Sequence, residues 1–170
     1  MQIVFNGKVI LGTRARKTFS KSFQAFSSVN FPDLAVLQDE RLLQYIRCES
    51  LERPVFYDRL DPHVGLLKLI PGVEDELAAF MLERYDGLII ESFGVGGLPD
   101  YEGGRLDAIL RGAVARGKIV VMTTQVPNEG SDLTVYHVGG RLKSSMNLLE
   151  AYDMTTEAAV AKLMWILGQT

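Results

Sequence analysis

The chain has 170 residues, a formal net charge of −3, 47% hydrophobic residues and 23% charged residues, the proportions of one globular domain with an appendage. It has no dense block of lysine and arginine, so the composition argues against nucleic acid as a partner. It also has no apolar run of the roughly 20 residues that a membrane span needs, and no signal-peptide core. The single cysteine, Cys48, excludes an internal disulfide and fits a reducing compartment, and no zinc-ligand spacing accompanies it.

The chain is predicted to open with a hairpin. Gln2–Phe5 and Val9–Leu11 are β-prone runs, and Asn6 and Gly7 between them accept the positive φ angles of a two-residue turn. Residues 12–22 are polar and predict a loop. Phe23 and Phe26 follow as expected apolar anchors.

A second hairpin is predicted from residues 35–37 and 42–46, around a turn at residues 38–41. Two hairpins are too few for an independent core, so we interpret residues 1–48 as the tail of an N-terminal α/β domain. Residues 49–63 hold two prolines and alternating charges, which predicts a linker, with a second domain over residues 64–170.

The second domain is predicted to begin with a strand over Val64–Ile70 and a helix over Val73–Arg84. Glu74, Asp75 and Glu76 near the start of this helix and Arg84 in its last turn suit the helix dipole. The residues expected on its buried face, at helical spacing, are Val73, Leu77, Phe80 and Met81.

The central stretch of the chain is an apolar strand that breaks into glycines. Leu88–Ile90 predict a strand buried on both faces, and Gly94–Pro99 form the loop at its carboxyl end, where open α/β sheets bind ligands. A dinucleotide fingerprint needs glycine at the sixth place of such a loop. Pro99 stands there, so NAD binding is not expected.

The remaining elements complete an alternating pattern. A helix is predicted where apolar residues recur from Leu106 to Ala113, with Gly117 as its stop, then a strand over Ile119–Met122 and a polar loop over residues 123–131. Because carboxyl ends of parallel strands share one edge, this loop should meet the glycine-rich loop. A short helix is expected within residues 133–147. The last helix is expected to be capped by Asp153 or Thr155 and to bury Val160, Leu163, Met164 and Leu167.

This alternation predicts an α/β fold: a parallel, Rossmann-like or flavodoxin-like C-terminal sheet with helices on both faces, preceded by hairpin remnants. Composition and spacing reveal no self-contained catalytic set. His137 is a proton-shuttle candidate or a surface residue, and Cys48 is expected to be inert. Glu91 either holds a substrate ammonium group or closes a salt bridge, and Asp132 is equally open.

Five stretches of the chain carry a family resemblance. They are FNGKVILGTRARK at residues 5–17, FQAFSSVNFP at 23–32, GLIIESFGVGGLP at 87–99, TQVP at 124–127 and DMTTEAAVAKLMW at 153–165. Together they resemble the asparaginase/glutaminase family, in its type I, cytoplasmic bacterial branch. The resemblance covers nearly the whole chain.

The resemblance implies hydrolysis of L-asparagine, possibly also of L-glutamine, to the acid and ammonia, without metal or organic cofactor. In the family, threonine nucleophiles are assisted by a Thr-Asp-Lys group, and Lys17 falls on the catalytic lysine. It also implies a cytoplasmic homo-oligomer whose C-terminal domains complete neighbouring active sites. Gly94, Gly96, Gly97, Thr124 and the segment to Asp132 are the candidates for that surface.

Two family motifs, Thr-Gly-Gly-Thr-Ile and Gly-Thr-Asp-Thr, do not occur in these 170 residues. We therefore expect the chain to be a fragment that is inactive by itself, contributing the lysine and the interface domain. Two alternatives remain: the asparaginase-like component of a tRNA-dependent amidotransferase, and a non-catalytic domain that binds an amino acid or mediates assembly.

Overall fold

The structure is a computed structural model that describes residues 1–49, 53–99, 105–135, 146 and 148–169. The chain divides into two compact units, Met1–Asp58 and Arg59–Thr170. No helix in the described residues is both long and apolar enough to cross a membrane. The three-part organisation into residues 1–48, 49–63 and 64–170 remains a prediction.

The first unit is built from short antiparallel strands. Its strands are β1 (Gln2–Phe5), β2 (Lys8–Leu11), β3 (Ala15–Lys17), β4 (Phe26–Ser28), β5 (Ala35–Gln38) and β6 (Arg41–Gln44). Over the described residues, one sheet has the order β1-β2-β5-β6, and β3 pairs with β4 separately. Both predicted hairpins are confirmed, because β1 pairs with β2 and β5 with β6. Their turns have positive φ at both positions: 48° and 72° at Asn6 and Gly7, 47° and 63° at Asp39 and Glu40.

The prediction of a loop over residues 12–22 is wrong in its first half. A short 3-10 helix, Gly12–Arg14, leads into β3, which pairs with β4 from Ala15 to Lys17. The polar sequence gives no local signal for this strand, because its partner β4 lies farther along the chain. Phe23 is only a partial anchor: 74% of it is exposed, although its ring lies 5.2 Å from that of Phe5.

The second unit alternates parallel strands with helices. Its elements are β7 (Val64–Lys68), α1 (Asp75–Arg84), β8 (Gly87–Ser92), α2 (Leu106–Ala115), β9 (Ile119–Thr124), β10 (Leu149–Glu150) and α3 (Thr156–Leu167). The strands form a parallel sheet in the order β10-β9-β8-β7 among the described residues. The predicted α/β class is confirmed. Sequence reasoning missed β10, because two residues carry no periodic signal.

Helices cover both faces of this sheet. Leu88 and Ile90 pack in one apolar cluster with side chains of α1 and α2, whereas Ile89 packs with Ala159 and Leu163 of α3. Alternate residues of a strand point to opposite faces, so α3 lies across the sheet from the other two helices. β8 is consequently buried along its whole length.

The predicted buried face of α1 is partly wrong. Ala78 and Leu82 are 1% exposed, whereas Leu77 and Phe80 are 44% and 54% exposed. Asp75 lies on the same buried side of α1, and its carboxylate accepts a hydrogen bond from the Arg105 main-chain N–H at 2.6 Å. Asp75, Ala78 and Leu82, at spacings of three and four residues, therefore form the buried row of α1.

The two later helices follow their sequence patterns. α2 buries Leu106, Leu110 and Ala113, as predicted. The side chain of Thr155 accepts a hydrogen bond from the Ala158 N–H at 3.3 Å, so Thr155 caps α3. Of the stripe predicted on α3, Leu163 is buried and the other three residues are partly buried against the same cluster. The helix predicted within residues 133–147 falls largely outside the described residues.

Candidate functional site

The glycine loop, residues 93–99, closes on itself immediately after β8. The main-chain N–H groups of Gly96 and Gly97 donate to the Phe93 carbonyl at 3.0 and 2.7 Å, and the Phe93 N–H donates to the Gly97 carbonyl at 3.1 Å. Gly94 and Gly96 have φ angles of 48° and 144°, which strain most other residues. The loop is therefore a tight turn held by its own backbone.

The glycines of this loop serve different purposes. A Cβ on Gly96 would lie 2.8 Å from Cδ2 of Leu133, so the loop and the segment after β9 touch at this point. A Cβ on Gly94 would meet nothing within 4 Å, so that position requires glycine for its φ angle alone. Gly94, Gly96 and Gly97 carry no side chain, so these three positions can offer only main-chain groups for contacts.

The last residue of β9 and the segment after it meet the glycine loop at two hydrogen bonds. The Thr124 hydroxyl donates to the Gly94 carbonyl and accepts from the Val126 N–H at 2.9 Å. Farther along, the Asp132 N–H donates to the Val95 carbonyl at 2.6 Å. The expectation that the two loops converge is confirmed. Thr124 itself is buried, so its hydroxyl joins the loops and faces inward.

The two acidic candidates have protein partners. Glu91, in β8, is 6% exposed, and its carboxylate lies 3.2 Å from the Lys68 Nζ and accepts from the Thr156 hydroxyl at 2.9 Å. The salt-bridge alternative for Glu91 is therefore the one observed. The exposed carboxylate of Asp132 accepts from the Thr134 N–H at 2.9 Å and from the Thr134 hydroxyl, so it orders its own loop.

Lys17 lies in the first unit, at the end of β3 and opposite Phe26. Its side chain is exposed, and in the described part of the chain it forms no salt bridge. The other candidate site residues all lie in the second unit. His137 lies outside the described residues.

A further cluster lies at the amino ends of β7 and β8. Ligand atoms of Asp61, His63 and Asp86 fall within 4.8 Å of one another, a grouping that their spacing in the sequence did not predict. Asp61 Oδ1 lies 2.8 Å from His63 Nδ1, and Asp86 pairs with Lys118 at 2.9 Å. The pKa of Asp61 lies below its ordinary value. The hydrogen bond from the His63 main-chain N–H contributes most to this, and the hydrogen bond to the imidazole comes next. A hydrogen bond to His63 and an ion pair with Lys118 therefore account for the two carboxylates.

Comparison with known families identifies the chain. Residues 63–170 match the Glutaminase/Asparaginase C-terminal domain, and residues 1–47 match the Asparaginase N-terminal domain. The chain belongs to the glutaminase/asparaginase family.

Relatives of this asparaginase-family chain include two proteins from Thermococcus kodakarensis. Its L-asparaginase is 40% identical over 169 residues, which cover 99% of the chain and 51% of the relative. A component of its glutamyl-tRNA(Gln) amidotransferase is 34% identical over 164 residues, which cover 94% of the chain and 36% of the relative.

Solved structures of L-asparaginases also match the chain. The thermostable L-asparaginase from Thermococcus kodakarensis matches with a TM-score of 0.90 at 39% identity, over 99% of the chain and 51% of that structure. L-asparaginase I from Vibrio cholerae matches with a TM-score of 0.79 at 30% identity, over 99% and 50%. The asparaginase-family chain thus spans about half the length of these proteins.

Sequence reasoning missed the partners of Glu91. Thr156 lies 65 residues from Glu91 along the chain, and Lys68 reaches it through the pairing of β7 with β8. Neither residue belongs to a recognisable motif with Glu91. Strand order and helix packing bring the three side chains together, so a signal for them exists only in the tertiary structure.

Proposed function

We propose that the protein containing these residues is an L-asparaginase that hydrolyses L-asparagine to L-aspartate and ammonia. The observation that carries this proposal is the 40% identity to an L-asparaginase across 99% of the chain. The TM-score of 0.90 to the solved structure of an L-asparaginase supports it independently of any short motif. L-glutamine is a second substrate to test, because it carries the same amide group on a side chain that is longer by one methylene.

Within this proposal, Lys17 is the proton acceptor. A hydroxyl attacks an amide poorly, so an amine must take up its proton as the bond to the carbonyl carbon forms. That proton then leaves with the amide nitrogen as ammonia, and water releases the acid. Lys17 is suited to pair with a partner outside the described residues, because it is exposed and forms no salt bridge within them.

The converging loops are proposed as a ligand-contacting surface that serves a neighbouring protomer of a cytoplasmic homo-oligomer. The bond from Thr124 to the Gly94 carbonyl makes the two loops one unit. Gly94, Gly96 and Gly97 would contribute main-chain groups, and Asp132 would order the second loop through Thr134. Main-chain groups suit a polar substrate, because their positions are fixed before binding.

The test of this proposal is an activity assay on a chimera. The part of the Thermococcus kodakarensis L-asparaginase that precedes its match to this chain is fused upstream of Met1, which supplies the threonine motifs. We expect the chimera to release ammonia from L-asparagine and the 170-residue chain alone to release none. A folded chimera without activity would overturn the proposal, and activity of the chain alone would overturn the role given to the threonine motifs.

Substitutions in the chimera test the role of Lys17. Lys17→Met should lower kcat by about 10²- to 10⁴-fold, the range for losing a general base. Lys17→Arg should be equally impaired, because a guanidinium keeps the charge but does not give up its proton at neutral pH. Lys21→Met is the matched control, since Lys21 is exposed in the segment that follows β3. Equal loss in the Lys21 and Lys17 variants would argue against a specific role.

The alternative function is that of a tRNA-dependent amidotransferase component, because the chain is 34% identical to such a protein. Such a protein should depend on a tRNA-handling partner, whereas an L-asparaginase should release free ammonia without one. The acidic balance of the chain favours the asparaginase. Ammonia release by the chimera in the absence of RNA separates the two functions.

A further inference from the structure

Gln125, the first residue after β9, joins the carboxyl ends of three strands. Its side-chain Nε2 donates to the Leu69 carbonyl at 2.6 Å and to the Glu91 carbonyl at 3.1 Å. Leu69 follows β7 and Glu91 belongs to β8. The main-chain N–H of Gln125 also donates to the Ser92 carbonyl at 3.1 Å. One residue therefore holds β7, β8 and β9 together where their ladders end.

The chemistry of a carboxamide suits this position. Its NH₂ group has two N–H donors, so a single nitrogen satisfies two carbonyls at once. The Glu91 carbonyl also accepts the Leu69 N–H at 3.0 Å, so the side chain reinforces the last main-chain bond between β7 and β8. A methionine would keep the volume but supply no donor. A glutamate would place carboxylate oxygens against two carbonyl oxygens.

The strand end that Gln125 holds is also the start of the glycine loop. Ser92 and Phe93 follow Glu91 directly, and the Phe93 carbonyl is the acceptor for both Gly96 and Gly97. The residue before Gln125 is Thr124, whose hydroxyl holds the Gly94 carbonyl. The two consecutive side chains thus fix the first part of the glycine loop from one end of β9.

We propose that Gln125 is a positioning residue that holds the glycine loop in its closed conformation before a ligand binds. It acts through Leu69 and Glu91. Its value to catalysis rests on the proposed function, because it depends on the glycine loop contacting substrate. Holding the main-chain groups of the loop in place beforehand removes the ordering cost from the binding step.

The chain offers a matched control for this proposal. Gln169 also donates from its Nε2 to two main-chain carbonyls, those of Arg59 at 3.0 Å and Trp165 at 2.8 Å. Gln169 follows the end of α3, outside the glycine loop. Gln125→Met and Gln169→Met therefore each remove two side-chain-to-main-chain hydrogen bonds, partly buried at Gln125 and exposed to solvent at Gln169. Gln125→Glu and Gln125→Asn complete the set, the second as a variant that keeps the carboxamide on a shorter stem.

Amide hydrogen exchange of the 170-residue chain measures the positioning directly. The N–H groups of Phe93, Gly96 and Gly97 are the reporters, because the closed turn protects them. We expect exchange at these sites to be about tenfold faster in Gln125→Met, with Gln125→Glu faster still. Leu88 and Ile90 should exchange at the original rate.

Two outcomes of the exchange experiment would overturn the proposal. The first is unchanged exchange in the glycine loop of Gln125→Met. The second is a uniform rise along β8, or an equal rise in the loop of Gln169→Met, because either result would mean general loss of stability. If Gln125→Met does not fold by circular dichroism, Gln125→Asn replaces it, with an intermediate rise at the same three amides expected.

The active chimera supplies a second readout. Gln125→Met should raise KM for L-asparagine about tenfold and leave kcat within about twofold. In this variant, part of the binding free energy goes into ordering the loop. A fall in kcat at constant KM would contradict the positioning role. An inactive wild-type chimera would instead overturn the proposed function, and the exchange experiment would still decide the role of Gln125.

Discussion

Replacing Leu82 by alanine should destabilise the second unit far more than replacing Leu77, although both leucines lie on α1. Leu82 is 1% exposed and belongs to the apolar cluster shared with β8 and α2, whereas Leu77 is 44% exposed. Helix propensity changes equally in the two variants. The comparison therefore isolates the effect of burial. Helical spacing predicts that Leu77 is buried, whereas the structure buries Leu82.

The magnitudes follow from the packing of the two side chains. Leu82→Ala loses the transfer free energy of the side chain and leaves a cavity, which costs about 2–5 kcal/mol. Leu77→Ala loses only part of the roughly 1.5–3 kcal/mol that full burial of a leucine contributes, so we expect about 1 kcal/mol or less. The expected difference is thus about 2 kcal/mol or more.

Urea unfolding followed by circular dichroism at 222 nm is the assay. The helices of the described residues all lie in the second unit, apart from one short 3-10 turn, so the helical signal reports on that unit even if the first unfolds separately. With a slope near 1.5 kcal/mol/M, a loss of about 3 kcal/mol lowers the midpoint by roughly 2 M. Equal midpoints for the two variants, or a lower one for Leu77→Ala, would refute the orientation of α1.

Three further substitutions test single contacts by the same unfolding assay at pH 7. Gly130→Ala should cost about 2–4 kcal/mol, because Gly130 has a φ of 80° and its Cβ would lie 2.6 Å from the Tyr152 carbonyl oxygen. Lys68→Met should cost about 1–2 kcal/mol by leaving the buried Glu91 carboxylate without its cation, a value reduced because 57% of the Lys68 side chain is exposed. Thr155→Ala should cost about 1 kcal/mol through the lost N-cap of α3.

Each of these predictions has a control that isolates its cause. Gly72 shares the φ of 80° but has open space around it, so Gly130→Ala should cost more than Gly72→Ala, and equal costs would disprove the close approach. Lys118 pairs with an exposed carboxylate, so Lys118→Met should change stability less than Lys68→Met, and the reverse order would contradict burial of the charge. Thr155→Ser keeps the capping hydroxyl and should retain most of the stability lost in Thr155→Ala.

Part of the candidate site was predictable from the sequence. Carboxyl ends of neighbouring parallel strands share an edge, so a glycine-rich turn after β8 and a polar segment after β9 had to meet. The hydrogen bond from the Thr124 hydroxyl to the Gly94 carbonyl is the contact observed there. The role of Gln125 was not predictable, because its two acceptors lie 56 and 34 residues away and are main-chain carbonyls without any sequence signature.

The sequence by itself determined the elements whose signals are local. Asn6 and Gly7 specified a hairpin through their φ preferences, and Leu88–Ile90 specified a buried strand through an unbroken apolar run. Only the tertiary structure decided which face of α1 is buried, because each of the two rows carries a leucine and the contacts that bury one of them, including the bond from Arg105 to Asp75, come from distant elements. Periodicity constrains what one element can bury, and contacts between distant elements decide what it does bury.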